Sequence, residues 1–231
     1  MRLRKKPDIH EKIRTLPGIV SLAEGEQPEG WERIFGKKGL LHVEIGMGKG
    51  AFITQMARRR PDVHFVGVER VADILYTAAR GNVENPLPNL RFLVMDGADL
   101  AFGFKEGEVQ RIYLNFSDPW PKRRHAGRRL THRRFLEIYR RILSPLGEIH
   151  FRTDDGNFFE FSLKELAASG YSVSKITRDW RHEDDPDMAA TEYEARFREM
   201  GRPICRLEAY APLGTGAAPF RRPESFRRAE S

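Results

Sequence analysis

Short apolar runs alternate along the chain with segments whose apolar positions recur at helical spacing. Leu40-Leu41-His42-Val43-Glu44-Ile45, His64-Phe65-Val66-Gly67-Val68-Glu69, Asn89 to Asp96 and Val109 to Leu114 read as strands. Between them, Phe52, Ile53 and Met56 fall on one helical face closed by Pro61, and Val71 to Val83 places Ile74, Leu75 and Ala78 on another. Further on, Thr131 is a candidate N-cap for a helix carrying Phe135, Ile138, Tyr139 and Ile142. Gly147 to Arg152 is a strand, Asn157 to Ala168 a helix, Tyr171 to Thr177 a strand, and Pro203 to Ala209 the last strand. The alternation predicts an α/β fold: a doubly wound, mostly parallel sheet of about seven strands with helices on both faces.

The ends lack this pattern. Residues 1–37 are polar and broken by Pro7, Pro17, Gly18, Gly25, Pro28 and Gly30, which predicts a basic arm with little regular structure, docked by Trp31 and Phe35. Residues 38–211 form the single domain, and the Gly/Ala/Pro/Arg/Ser-rich stretch 212–231 reads as a disordered basic tail. The 231 residues, 40% of them hydrophobic with 15 Phe, suffice for one large core. A formal charge of +7, concentrated at Arg2 to Lys6, Arg58 to Arg60, Lys122 to Arg134 and Arg221 to Arg228, favours a polyanionic partner. A lone cysteine, Cys205, excludes an internal disulfide and a cysteine-based zinc site, and reads as a small buried hydrophobe. His182 among acids has no second histidine at ligand spacing, so no metal is expected. No segment approaches ~18 uninterrupted apolar residues, so no membrane span is expected and the chain reads as cytosolic.

The candidate chemistry collects where strands end. The first strand runs into Gly46-Met47-Gly48-Lys49-Gly50 and then a helix, the context of a nucleotide-binding loop, although Gly46-x-Gly48-x-x-Ala51 also satisfies a dinucleotide fingerprint. Glu44, just before the glycines, would repel a pyrophosphate and attract a cation. Glu69 ends the second strand, where an acid accepts from both ribose hydroxyls. The two acids together suit S-adenosylmethionine, which carries an amino group, a sulfonium and no phosphate. Asp96, with Gly97 and Ala98, could meet an adenine amino group or be an ordinary turn acid. Asn115-Phe116-Ser117-Asp118-Pro119-Trp120-Pro121-Lys122-Arg123-Arg124-His125 delivers an acid, an indole and cations on a loop that two prolines stiffen. Asp154 and Asp155 follow a later strand, and Thr191-Glu192-Tyr193-Glu194 opens a helix with two acids beside a ring.

Val43 to Gly50, Ile112 to His125 and Thr191 to Glu194 resemble the bacterial tRNA (guanine-N7)-methyltransferases, and the resemblance runs from about Trp31 to Glu208. It implies a Rossmann-like methyltransferase sheet using S-adenosyl-L-methionine and leaving S-adenosyl-L-homocysteine. By resemblance Glu44, Glu69, Asp96 and Asp118 contact the cofactor beside Gly46 and Gly48, with Asp118 the active-site residue. Lys122, Asp154, Thr191, Glu192, Tyr193 and Glu194 would hold the target nucleoside. Arg124, His125, Ala126, Gly127, Arg128 and Arg129 would contact tRNA, and the target would be guanine 46 of the variable loop. The doubled Asp154-Asp155 leaves open which acid faces the guanosine, and the Arg-rich tail lies outside the family pattern. The oligomeric state, monomer or homodimer, is not legible. Three rivals remain: the same fold acting on another RNA base, a non-catalytic RNA-binding module, and a nicotinamide-linked dehydrogenase, against which Glu44 and the basic loop argue. An amino-methylating enzyme of DNA would carry a second proline directly after Pro119, where Trp120 stands.

Overall fold

The computed structural model describes residues 8–22, 28–181, 183 and 185–212. Its eight strands are β1 (Ile19–Val20), β2 (Leu40–Ile45), β3 (Val63–Glu69), β4 (Leu90–Val94), β5 (Val109–Asn115), β6 (Leu143–Thr153), β7 (Ser172–Thr177) and β8 (Cys205–Tyr210). They lie in the order β1-β4-β3-β2-β5-β6-β8-β7, with only β8 antiparallel to its neighbours. The chain steps from β2 outward to β3 and β4, then returns to place β5 on the other side of β2. That reversal opens a crevice beyond the C-terminal ends of β2 and β5, where open α/β sheets take their ligands.

Strand alternation divides the core into two layers. Val43, Ile45, Val66, Val68, Ile112 and Leu114 point to the face covered by α5 (Leu100–Gly103), α6 (Arg133–Ile142) and α7 (Gly156–Ala168). Phe65, Leu90, Phe92 and Tyr113 point to the opposite face, under α1 (Ile9–Arg14), α3 (Ala51–Arg59) and α4 (Ala72–Gly81). β3 is buried along its whole length, as expected of a parallel strand sandwiched between helices. Cys205 is buried in β8 as expected.

Two expectations change. The segment read as an arm with little regular structure contributes α1, which buries Ile9 and Ile13, β1, which pairs with β4 as the eighth strand, and α2 (Trp31–Phe35). Elements of two to six residues are too short to show a period, and they form because the sheet and α4 supply their partners. Trp31 does dock this segment, stacking on Phe104 and donating its indole N–H to Gly103 O at 2.9 Å. Thr131 does not cap α6: it is buried against Ser162 (2.7 Å), and the His132 ring caps the helix by accepting from Arg134 N. The basic residues 2–6, His182 and 213–231 lie outside the described residues. No helix among the described residues is long and apolar enough to cross a membrane.

Candidate active site

The turn after β2 is built by backbone. Gly46 N and Met47 N both donate to Val68 O, at 2.9 and 3.2 Å, pinning the turn to the end of β3. Gly46, Gly48 and Gly50 have φ of 73°, 57° and 74°, a region that side chains disfavour. Glu69, the last residue of β3, accepts from Gly48 N (3.2 Å) and Val71 N (3.0 Å), so its carboxylate faces the turn. Asp96, just beyond β4, accepts from Ala98 N at 2.9 Å and caps a short turn over Gly97–Asp99.

Glu44 is buried. Its Oε1 accepts from Asn115 Nδ2 at 2.8 Å, while Oε2 is buried with no hydrogen-bond partner. Burial pushes its carboxyl up to about 7, against the opposing pull of the Asn115 hydrogen bond and the Arg152 charge. A buried acceptor of this kind is stabilised by a proton or by a donor brought to it from the cavity. Glu44 is among the residues lining a cavity of about 840 Å³, the size of a ligand site, with Glu69, Asp96, Asp118, Arg128 and Tyr193.

The facing rim follows β5. Phe116 and Trp120 are non-glycine residues at φ of 49° and 43°, a strain of ~1–3 kcal/mol each that surrounding contacts must hold. Phe116 N donates to Arg152 O (2.9 Å), and its ring packs with Tyr193 and Phe197 at centroid distances of 6.2 and 5.7 Å. The Trp120 ring meets His125 edge-on at 5.7 Å and carries the Arg128 guanidinium over it at 4.9 Å.

A buried polar chain joins the two rims. Arg152, in β6, donates from Nε to Asn115 Oδ1 (2.8 Å) and from Nη1 to Glu194 Oε2 (3.2 Å). Its guanidinium lies over Phe52 and Trp180 at 4.9 and 5.2 Å, and burial lowers it to about 10. Glu194 sits in α8 (Glu192–Glu199), whose N-cap Thr191 accepts from Glu194 N at 3.0 Å. Glu44, Asn115, Arg152 and Glu194 therefore form one hydrogen-bonded line from the cavity to the start of α8.

A family model described as "Putative methyltransferase" matches residues 38–207. A Geobacillus sp. (strain WCH70) protein named tRNA (guanine-N(7)-)-methyltransferase is 45% identical over 212 residues, covering 92% of this chain and 96% of that protein. A Streptococcus equi subsp. zooepidemicus (strain MGCS10565) protein of the same name is 43% identical over 210 residues, 90% of this chain and 99% of its own. The chain belongs to the tRNA (guanine-N(7)-)-methyltransferase family. Among solved structures, the 16S rRNA methyltransferase KamB superposes with a TM-score of 0.62 at 13% identity, over 79% of this chain and 93% of its own. A mutant of the 16S rRNA (adenine(1408)-N(1))-methyltransferase from Catenulisporales acidiphilia, solved with cosubstrate SAM, gives 0.60 at 15%, over 81% and 92%. These two show the shared Rossmann-like fold, and the family's dependence on S-adenosylmethionine agrees with the orphaned Glu44 oxygen.

All six residues expected at this family's cofactor site, Glu44, Gly46, Gly48, Glu69, Asp96 and Asp118, line this cavity. Of the expected nucleoside contacts, Thr191 and Tyr193 line it. Lys122 is exposed beyond it, and Glu194 is turned inward to Arg152 and Arg198. The doubled acid divides by role: Asp155 caps α7 by accepting from Phe158 N (2.8 Å), while Asp154 pairs with Arg202 at 3.1 Å. Arg124, His125, Ala126, Gly127 and Arg128 lie in a 3-10 turn, Arg123–Arg128, of which only Arg128 lines the cavity. Arg129 turns the other way, toward the Pro119 and Trp120 carbonyls. Sequence reasoning missed Asn115 and Arg152, although a cation inside the apolar run of β6 was a usable signal. Glu148, His150 and Glu208 cluster within 4.8 Å, yet Arg111 holds Glu148, and Arg206 and Lys175 hold Glu208, so an ion-pair network occupies those oxygens.

Proposed function

We propose that the protein methylates N7 of guanine 46 in the variable loop of tRNA, in the cytoplasm, using S-adenosylmethionine held by residues 38–211. The observation that carries this reading is the convergence of Glu44, Glu69, Asp96 and Asp118 on one cavity at the β2/β5 crevice. The cofactor supplies an electrophilic methyl on a sulfonium and leaves as the neutral thioether. Glu44 would hold its amino group, Glu69 its ribose hydroxyls and Asp96 the adenine amino group.

Guanine N7 presents a lone pair, so the N–C bond forms as the C–S bond breaks and no proton moves. The protein therefore needs no general base and no metal; it must orient the two reactants in line and stabilise charge. Positive charge passes from sulfur to the purine, and Asp118 lies on the rim where it arrives. Acid side chains also match the N1–H and N2–H donors of guanine, which adenine lacks. With Asp155 capping α7, Asp154 is the acid left for that edge, and taking it requires exchanging its Arg202 partner for the base. Lys122, Arg124, His125 and Arg128 bind phosphates along the adjoining turn.

The deciding experiment incubates the protein with methyl-labelled S-adenosylmethionine and unmodified tRNA transcripts, then maps the labelled nucleoside by mass spectrometry. N7-methylguanosine at position 46 is the expected result. Label on another base would overturn the target assignment, and no label on any tRNA would overturn the activity.

A further inference from the structure

The loop that carries Asp118 lacks the usual means of holding its own shape. Pro119 and Pro121 contribute no amide donors, and Trp120 between them is held at φ 43°. The carbonyls of Pro119 and Trp120 are instead satisfied from outside: Arg129 Nε donates to Pro119 O at 2.8 Å and Arg129 Nη2 to Trp120 O at 3.1 Å. These two N–H groups form one edge of the guanidinium, so a single planar fork spans two consecutive carbonyls. The plane is backed by the rings of α7, with Phe161 at 4.3 Å and the buried Phe158 at 5.8 Å. Arg129 is half-buried, whereas Arg124 and Arg128 before it are exposed.

We propose that Arg129 is a positioning residue that clasps the Asp118-Pro119-Trp120 loop to α7 in its transfer-ready shape, and that it is not one of the phosphate-binding cations. This rests on the reading that the Asp118 loop is where transfer occurs. The clasp uses Nε and one Nη2 hydrogen, and Arg129 stays a positioning residue only if its remaining Nη1/Nη2 edge takes no phosphate, which the salt dependence reads directly. Lysine keeps the charge but cannot span both carbonyls, so Arg129→Lys separates the two roles.

The full chain is used in three measurements: kcat at saturating tRNA and S-adenosylmethionine, tRNA affinity against salt, and acrylamide quenching of tryptophan. Trp31 and Trp180 are 1% and 2% exposed, so a change in quenching in a folded variant reports Trp120. Arg129→Lys should lower kcat at least tenfold, raise quenching and leave the salt slope unchanged. Phe161→Leu removes the ring behind the guanidinium without touching any charge, and should lower kcat about threefold with the slope again unchanged. Thermal melting verifies that each variant is folded. Wild-type kcat in both variants overturns the clasp, as does an Arg129→Gln variant whose salt slope falls by about one while kcat holds. Asp118→Asn is measured alongside: if it turns over normally, the assignment of the loop fails, whereas its impairment with a normal Arg129→Lys faults the clasp alone.

Discussion

The rim formed by the ends of β2, β3 and β4 is held by backbone, and the rim formed by residues 116–129 and α8 is held by side chains. On the first, Gly46, Met47 and Gly48 use their amides to tie the turn to Val68 and Glu69, so the geometry of the proposed cofactor cradle follows from strand register. On the second, two residues in left-handed conformation, two prolines and a basic turn are held by Arg129, by the Arg152–Glu194 pair and by rings. A cofactor that is the same in every turnover suits a rigid backbone cradle. A large RNA that must enter and leave suits side-chain contacts that can be made and broken. The contrast predicts that changes on the second rim act on turnover and RNA, and changes on the first act on cofactor affinity.

The strongest test is Asp118→Asn. If Asp118 stabilises the purine charge as proposed, removing its carboxylate should lower single-turnover methyl transfer roughly 100-fold or more, the order seen when a charge-stabilising group is lost. Cofactor affinity by calorimetry should change far less. Equal losses in both would erase the division between the rims.

Next in size is Arg152→Met, which cuts the line joining them. It leaves Asn115 Oδ1 unsatisfied and Glu194 buried with Arg198 as its remaining cation, a loss of roughly 3 kcal/mol. At ~2–4 °C per kcal/mol for a chain of this size, the melting temperature should fall by about 6–12 °C. An unchanged melting curve would mean that the chain contributes nothing to holding α8.

A smaller effect is expected from pH on the first rim. Burial pushes the Glu44 carboxyl up to about 7, and an ammonium partner requires its charged form. Cofactor affinity should therefore fall about tenfold from pH 8 to pH 6, and Glu44→Gln should bind more weakly without that dependence. For stability the sign is opposite. The folded value lies above the ordinary 4.5, so the unliganded fold is favoured by this group below pH about 4.5, and that share is lost as pH rises through 7. Calorimetric titrations at both pH values check the first claim, and a flat profile contradicts it.

The same contrast explains what could be read in the sequence. Glu44, Gly46, Gly48 and Glu69 belong to one strand–turn–helix–strand run, so their spacing alone brings them together. The Asp-Pro-Trp-Pro-Lys loop was visible as a stiff acid-bearing loop, but not its fastening to Arg129 and α7, because contacts between side chains far apart in space leave no period. Glu194 read as a substrate acid for the same reason: nothing adjacent to it shows that β6 brings Arg152 beneath it. β1 escaped because two residues carry no alternation, and only the exposed edge of β4 makes them a strand.

The smallest effect, and the finest probe of the second rim, is Arg124→Ala. Arg124 is exposed in the 3-10 turn, where its Nε donates to the neighbouring His125 ring at 3.4 Å. Its loss should cost the fold almost nothing. If it binds one phosphate, tRNA affinity should fall severalfold at low salt, and the slope of log affinity against log salt should become shallower by about one. Cofactor affinity without RNA should be unchanged, because Arg124 does not line the cavity. An unaltered slope would remove Arg124 from the RNA path and shift the phosphate contacts toward Lys122 and Arg128. A change in cofactor affinity would instead show that the basic turn and the glycine turn communicate, and that the two rims are less separate than their construction implies.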